Sequence, residues 1–245
     1  MDEKILLFIL VGFMAQIVDG TLGMAHGVIS ASFLLGLGVT PAGVSASVHT
    51  TKVFTTFASG MSHWGFGNVD QSLVKRLVIP GVVGGVLGAL VLSALPGKSL
   101  TPFVSFYLLL MGVRILAKAL EKPHDVKIPI NLFPLGMTGG FLDAIGGGGW
   151  GPIVTSTLMA NGHTPRLIIG SVNMAEFFVS LAQTLTFILT IRLTHWDAIL
   201  GLILGGVLAA PPAAYLCKKL PVQPLMAAVG LLIIVISVRT MALAF

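Results

Sequence analysis

Phe141 to Pro152 reads FLDAIGGGGWGP: one acid, four consecutive glycines, then Trp150, Gly151 and Pro152, with apolar sequence on both sides. Each glycine costs a helix roughly 1 kcal/mol relative to alanine, so no continuous helix is expected through Gly146 to Gly149. Interrupted backbone in apolar surroundings is tolerated only where protein or a water-filled cavity satisfies its polar groups. The stretch is therefore a candidate ligand site.

The composition around it is that of a polytopic membrane protein. Hydrophobic residues make up 55% of the 245 and charged residues 9%, against about 25% charged in a soluble domain. Mean hydropathy is +0.98. The net charge of +5 sits in loops between apolar runs, where the positive-inside rule places it, and does not point to nucleic acid. One cysteine, Cys217, excludes intrachain disulfides and multi-cysteine metal centres. The N-terminus lacks a clear cleavage site and is read as a retained span.

Upstream lies a second polar, glycine-containing break, Asp19 to Gly27 (DGTLGMAHG). The apolar runs beside it, Ile5 to Val18 and Val28 to Leu37, would reach only about 21 Å and 15 Å as helices, short of a core of about 30 Å. They are expected to form a re-entrant or discontinuous hairpin. Full spans are expected over Gly43 to His63, Leu73 to Leu95 and Leu100 to Leu120. A basic connection follows, carrying Arg114, Lys118, Lys122, His124 and Lys127.

Then the pattern starts again. A shift of 124 places Asp19 on Asp143, Gly23 on Gly147, Gly27 on Gly151, Thr40-Pro41 on Thr164-Pro165 and Ser47-Val48 on Ser171-Val172. It matches 13 of the 41 residues from 19 to 59 without a gap. The expected fold is an all-α integral membrane protein of two repeats, about 5–120 and 129–245, joined by a basic cytoplasmic linker, 121–128. It forms a single transporter domain. Each repeat has a short helix pair and three spans, an odd number of crossings, so the halves take inverted topology. The basic residues place both termini outside.

Lys52 lies ten residues into its span, and its counterpart under the shift is Glu176. Ser45, His49, Lys52 and Thr56 share one helix face, and Asn173, Glu176, Ser180 and Gln183 share another. The two stripes are expected to face each other. A Lys52–Glu176 contact is then either a structural ion pair or part of a binding site. His49 is the proton-carrier candidate, because imidazole titrates near neutrality. Asp19 and Asp143 either cap short helices or take up protons, and Glu176 is a further proton-coupling candidate. The glycines Gly23, Gly27, Gly147, Gly148 and Gly149 either let helices pack or meet the substrate. Pro152 suits a helix first turn, whose free amides would join Lys52, His49 and Asn173 in holding a small anion. His26, His63, His124, His163 and His195 fall in loops and segment ends, and Trp64 and Trp196 look like interfacial anchors. No metal or cofactor motif and no catalytic constellation appears, and the chain is read as no enzyme.

The duplicated D-x-x-x-G-x-x-x-G breaks, SVHTTK, SVNMAEF and SHWGFGNVD resemble the sulfite exporter TauE/SafE family, also called the toluene-sulfonate uptake permease family, over essentially the whole chain. That resemblance implies a multi-pass transporter in the plasma membrane of a bacterial-type cell. It implies export or uptake of sulfite, a sulfonate or another small oxidised sulfur anion, driven by a proton or sodium gradient. The expectation is an exporter. A passive anion channel, and a membrane enzyme or assembly subunit, are the alternatives.

Overall fold

The described residues of the computed structural model, 3–95, 100–120, 130–159, 165–217 and 222–244, are helical almost throughout and contain no strand. The first half holds α1 (Glu3–Leu22), α2 (His26–Gly36), α3 (Pro41–Gly65), α4 (Gln71–Ala94) and α5 (Thr101–Leu120). The second holds α6 (Leu132–Gly146), a π-helical turn (Gly151–Thr155) running into α7 (Ser156–Met159), then α8 (Pro165–Thr190), α9 (Trp196–Leu216) and α10 (Val222–Ala244). Six of these, α1, α4, α5, α8, α9 and most of α10, are long and apolar enough to cross a membrane. At 25 residues α3 is long enough as well, and it is the helix that carries Lys52 and its polar stripe. The linker with Lys122, His124 and Lys127 lies outside the described residues, as do Pro96, Gly97, Lys98, His163, Thr164, Lys218 and Lys219.

Capping explains where several helices begin. The Thr40 hydroxyl accepts from the Gly43 amide (3.4 Å) with Pro41 in the first turn of α3. Asp70 accepts from Ser72 and Leu73 at the start of α4, and Asn131 from Phe133 at the start of α6. The first break is shorter than its sequence suggests. α1 runs on through Asp19 and Gly20 to Leu22, so its 20 residues reach about 30 Å. It is a full-length helix and not one arm of a short hairpin. Burial makes this possible: Thr21 returns its hydroxyl to the Ile17 and Val18 carbonyls, and Asp19 accepts from the His26 amide at 3.2 Å. What remains non-helical is Gly23–Ala25, and in the second half Gly147–Gly149. Gly23 and Gly147, 124 positions apart, both end their helices in the left-handed region at φ 69°.

Contacts fix the helix directions. Phe8 packs at Gly201 and Gly20 at Ala213, so α1 and α9 run side by side in the same sense. Gly43 near His195 and Thr55 at Gly206 place α3 in that sense too. α8 runs against α3: the Phe57 and Phe177 rings are 5.3 Å apart, and Gly60 packs on Met174. That register brings Thr55 opposite Val179.

Glycine stripes bring the outer helices close. A Cβ on Gly84 of α4 would fall on the Met137 carbonyl of α6, and one on Gly205 of α9 on the Ile9 carbonyl of α1. Such backbone contact is how small residues join helices in lipid. Gly84→Val is therefore expected to cost about 3 kcal/mol or more, at the upper end of overpacking. Gly65→Val, with open space around the site, should leave thermal unfolding of the purified protein unchanged.

Candidate functional site

Lys52 sits on α3 with its side chain 2% exposed, and three oxygens hold its ammonium group. Asp143 Oδ1 and Oδ2 each lie 3.0 Å from Nζ, and Glu176 Oε1 lies at 2.6 Å. α8 supplies Glu176 from the position equivalent to Lys52. The antiparallel crossing puts the two about three residues either side of its centre, and their side chains meet across it. Of the two stripes, the structure brings Lys52 and Glu176 together, while Ser45, His49 and Gln183 reach α6. Asp143 comes from the last turn of α6, which the sequence did not connect to Lys52.

Asp143 is the most heavily bonded group in the site. Its Oδ1 also accepts from the amides of Gly149 (2.7 Å) and Trp150 (3.1 Å), and its Oδ2 from Gln183 Nε2 (3.4 Å). The expected free amides at this helix start are thus already taken by a carboxylate of the same break. His49 reaches the Asp143 main chain, Nε2 to O at 3.1 Å. Because a carbonyl only accepts, Nε2 must carry the proton, and the bare Nδ1 faces Asp143 Oδ2 at 3.7 Å. The ring stacks on Phe187. Ser45, one turn earlier, donates to the Ala144 carbonyl.

The two breaks cross here. A Cβ on Gly27 would lie 2.7 Å from the Gly147 oxygen and 2.8 Å from the Gly148 Cα. Between them is a narrow cleft too tight to admit a water molecule, lined from both halves by residues including Asp19, Gly27, Lys52, Asp143, Gly148, Gly149 and Glu176. Gly23, Gly147, His49 and Asn173 do not line it. Gly23 and Gly147 terminate helices, His49 stands behind Asp143, and Asn173 Nδ2 is spent on its own helix at the Ile169 carbonyl, 3.0 Å away. Ala25 does line it, in the left-handed region at φ 97°, where its equivalent is Gly149. That conformation costs a side-chain-bearing residue roughly 1–2 kcal/mol and is held here by the packing of the break.

Two residues that the sequence did not mark as site residues brace the second break. Tyr107 donates its hydroxyl to the Gly148 carbonyl at 3.2 Å. Arg114, expected in the basic connection, is on α5; its Nε donates to the Pro152 carbonyl (2.9 Å), and its guanidinium reaches the Ser156 and Thr157 hydroxyls. Their spacing of seven puts both on one face of α5, and that was the legible signal. Arg114→Leu strips the π-helical turn of its donors. A loss of about 1–3 kcal/mol is expected, read as a lower unfolding midpoint, with Arg114→Lys recovering part of it.

Comparison with known proteins agrees with this architecture. The family model described as sulfite exporter TauE/SafE matches residues 8–240. The chain belongs to the TauE/SafE family. It is also 44% identical to the "Probable membrane transporter protein YtnM" of Bacillus subtilis (strain 168), an alignment covering 98% of this chain and 83% of that protein. No solved structure matches. With six helices among the described residues fit to cross a bilayer, this TauE/SafE member is a multi-pass membrane transporter.

Proposed function

We propose that the chain is a secondary transporter of a small anion, namely sulfite, a sulfonate or another oxidised sulfur compound, with protons as the coupling ion. The observation that carries this reading is Lys52, a buried ammonium held between carboxylates at the crossing of two interrupted helices. Asp19, Asp143 and Glu176 oppose this one lysine, so full ionisation would leave two uncompensated negative charges in a buried site. Such an excess is expensive, and protons offset it. Glu176 accepts from Lys52, whereas Asp143 also holds two amides and Gln183, so Glu176 is the carboxylate freer to take a proton, and protonating it loosens its hold on Lys52. The released ammonium is a ready anion donor, so proton and anion binding favour one another. His49, behind Asp143, stands where it can relay a proton toward this centre.

In this reading the halves are repeats of inverted topology, about 5–120 and 129–245, and access alternates as they move about the site. The antiparallel course of α3 and α8 and the recurrence of helix ends at a shift of 124 support it. The termini lie outside the plasma membrane, and export follows the anion's own outward gradient. A proteoliposome assay tests the cycle: an imposed sulfonate or sulfite gradient should drive saturable proton movement, reported by a trapped pH dye. Saturable anion flux with no proton movement would overturn the coupling; non-saturating flux indifferent to pH would favour a channel. Asp143→Asn keeps an oxygen for the two amides and removes the charge. It is expected to reduce proton-coupled flux at least tenfold while the protein stays folded.

A further inference from the structure

We infer that the first half contains a polar proton-entry route from the α3–α4 turn to the ionic centre, and that the second half has its equivalent route plugged. This rests on the proton coupling proposed above. On α3, Lys52, Thr55, Ser59 and His63 follow one another at three- and four-residue steps, all buried. The distance from Lys52 to His63 is about 17 Å along the helix, roughly half the thickness of a bilayer core. Gln16 and Asp19 on α1 and His26 at the start of α2 are buried with them. Buried polar atoms are normally paired. Here Gln16 Oε1 and Nε2, Asp19 Oδ2, both His26 ring nitrogens, Thr55 Oγ1 and Ser59 Oγ have no hydrogen-bond partner among the described residues.

These atoms share one region. Asp19 Oδ1 accepts from the His26 amide, and Thr55 and the His26 ring both pack at Gly206 of α9. His63 Nε2 donates to the carbonyl of Gly20, next to Asp19 (3.0 Å), and its Nδ1 accepts from Asn68 Nδ2 (3.3 Å) in the turn itself. α9 meets this region through Gly206 and Ala213, and the buried ionisable groups here are Asp19, His26, Lys52 and His63, with Glu176 and Asp143 at the inner end.

Shifting by 124 shows what the second half puts in the same places. Trp150 stands for His26, Val179 for Thr55 and Phe187 for His63, each fully buried. Gly140 stands for Gln16, and Gln183, standing for Ser59, is tied to the Gly140 carbonyl and Asp143. Trp150 and Val179 pack with Leu77 and Val154 in one apolar cluster and Phe187 with Ala46 and Leu92 in another, and these clusters fill the second half's equivalent of the route. The contrast gives the ionic centre polar access toward the α3–α4 turn, cytoplasmic in the orientation proposed above, and an aromatic seal on the opposite side.

The test uses Cys217→Ser as parent, with single cysteines introduced as Thr55→Cys, Ser59→Cys and Val179→Cys. Aminoethyl methanethiosulfonate, applied to the protein in proteoliposomes and read by mass, should modify the first two at least tenfold faster than the third. Equal rates, or no reaction at 55 and 59, would overturn the route. This reading needs no substrate, so it is separable from failure of the transport proposal, which would show as absent proton-coupled anion flux with the route still reactive. His63→Phe, which copies the second half, should cut proton-coupled net flux about tenfold and spare exchange of labelled for unlabelled anion. An equal loss of both would mark His63 as structural and count against the route.

Discussion

Lys52→Met is expected to abolish proton-coupled anion flux and to lower the unfolding midpoint sharply. Methionine fills much the same volume, so the loss is electrostatic. Removing one partner of a buried ion pair leaves the other uncompensated and typically costs about 3–5 kcal/mol, and here Asp143 and Glu176 are both abandoned. Stability and transport separate in the double variant Lys52→Met, Glu176→Gln. With Glu176 neutral and Asp143 still bonded to Gly149, Trp150 and Gln183, a large part of the lost stability should return. Transport should not, because the ammonium proposed to receive the anion is gone. Lys52→Met retaining wild-type anion affinity in proteoliposomes would sink the anion role. Failure of the double variant to regain stability would show that Lys52 holds the fold through something other than these charges.

The second large effect belongs to the crossing of the breaks. A Cβ on Gly148 would fall on the Val28 amide and the Gly27 carbonyl carbon, all backbone, and no side chain there can yield. Gly148→Ala should therefore exceed the usual 1–3 kcal/mol of overpacking by about as much again, and the protein should not purify as a monodisperse species. Gly36→Ala is the matched control, since its nearest neighbours are side-chain atoms at 3.6 Å. It should change stability by about 0.5 kcal/mol at most. Normal folding and transport by Gly148→Ala would mean the breaks do not meet as described.

The residues differ in how much of this could be read from the sequence. The Lys52–Glu176 contact was legible, because both residues take the same place in duplicated helices and a buried charge needs a partner. The breaks were legible from their glycines, but the first was drawn too long. Asp19, Gly20 and Thr21 look like helix breakers locally, and only burial with internal hydrogen bonds keeps α1 going. The hold of Asp143 on Lys52 depends on how α6 leans against α3, which no local pattern encodes. His26 and His63 were placed in loops or at segment ends, yet both are buried. The clue for His63 was present: it continues the Lys52, Thr55, Ser59 spacing one more turn.

Gly27 and Gly148 touch through bare backbone, with no side chain to act as a cushion. A tilt of one interrupted helix therefore displaces the other, and the two short helices share one hinge. Under the alternating access proposed above, widening the gap toward one membrane face would narrow it toward the other, with no separate latch. The measurable consequence is strict exchange: with anion on both sides of the membrane, turnover should continue with no detectable leak of unrelated small ions.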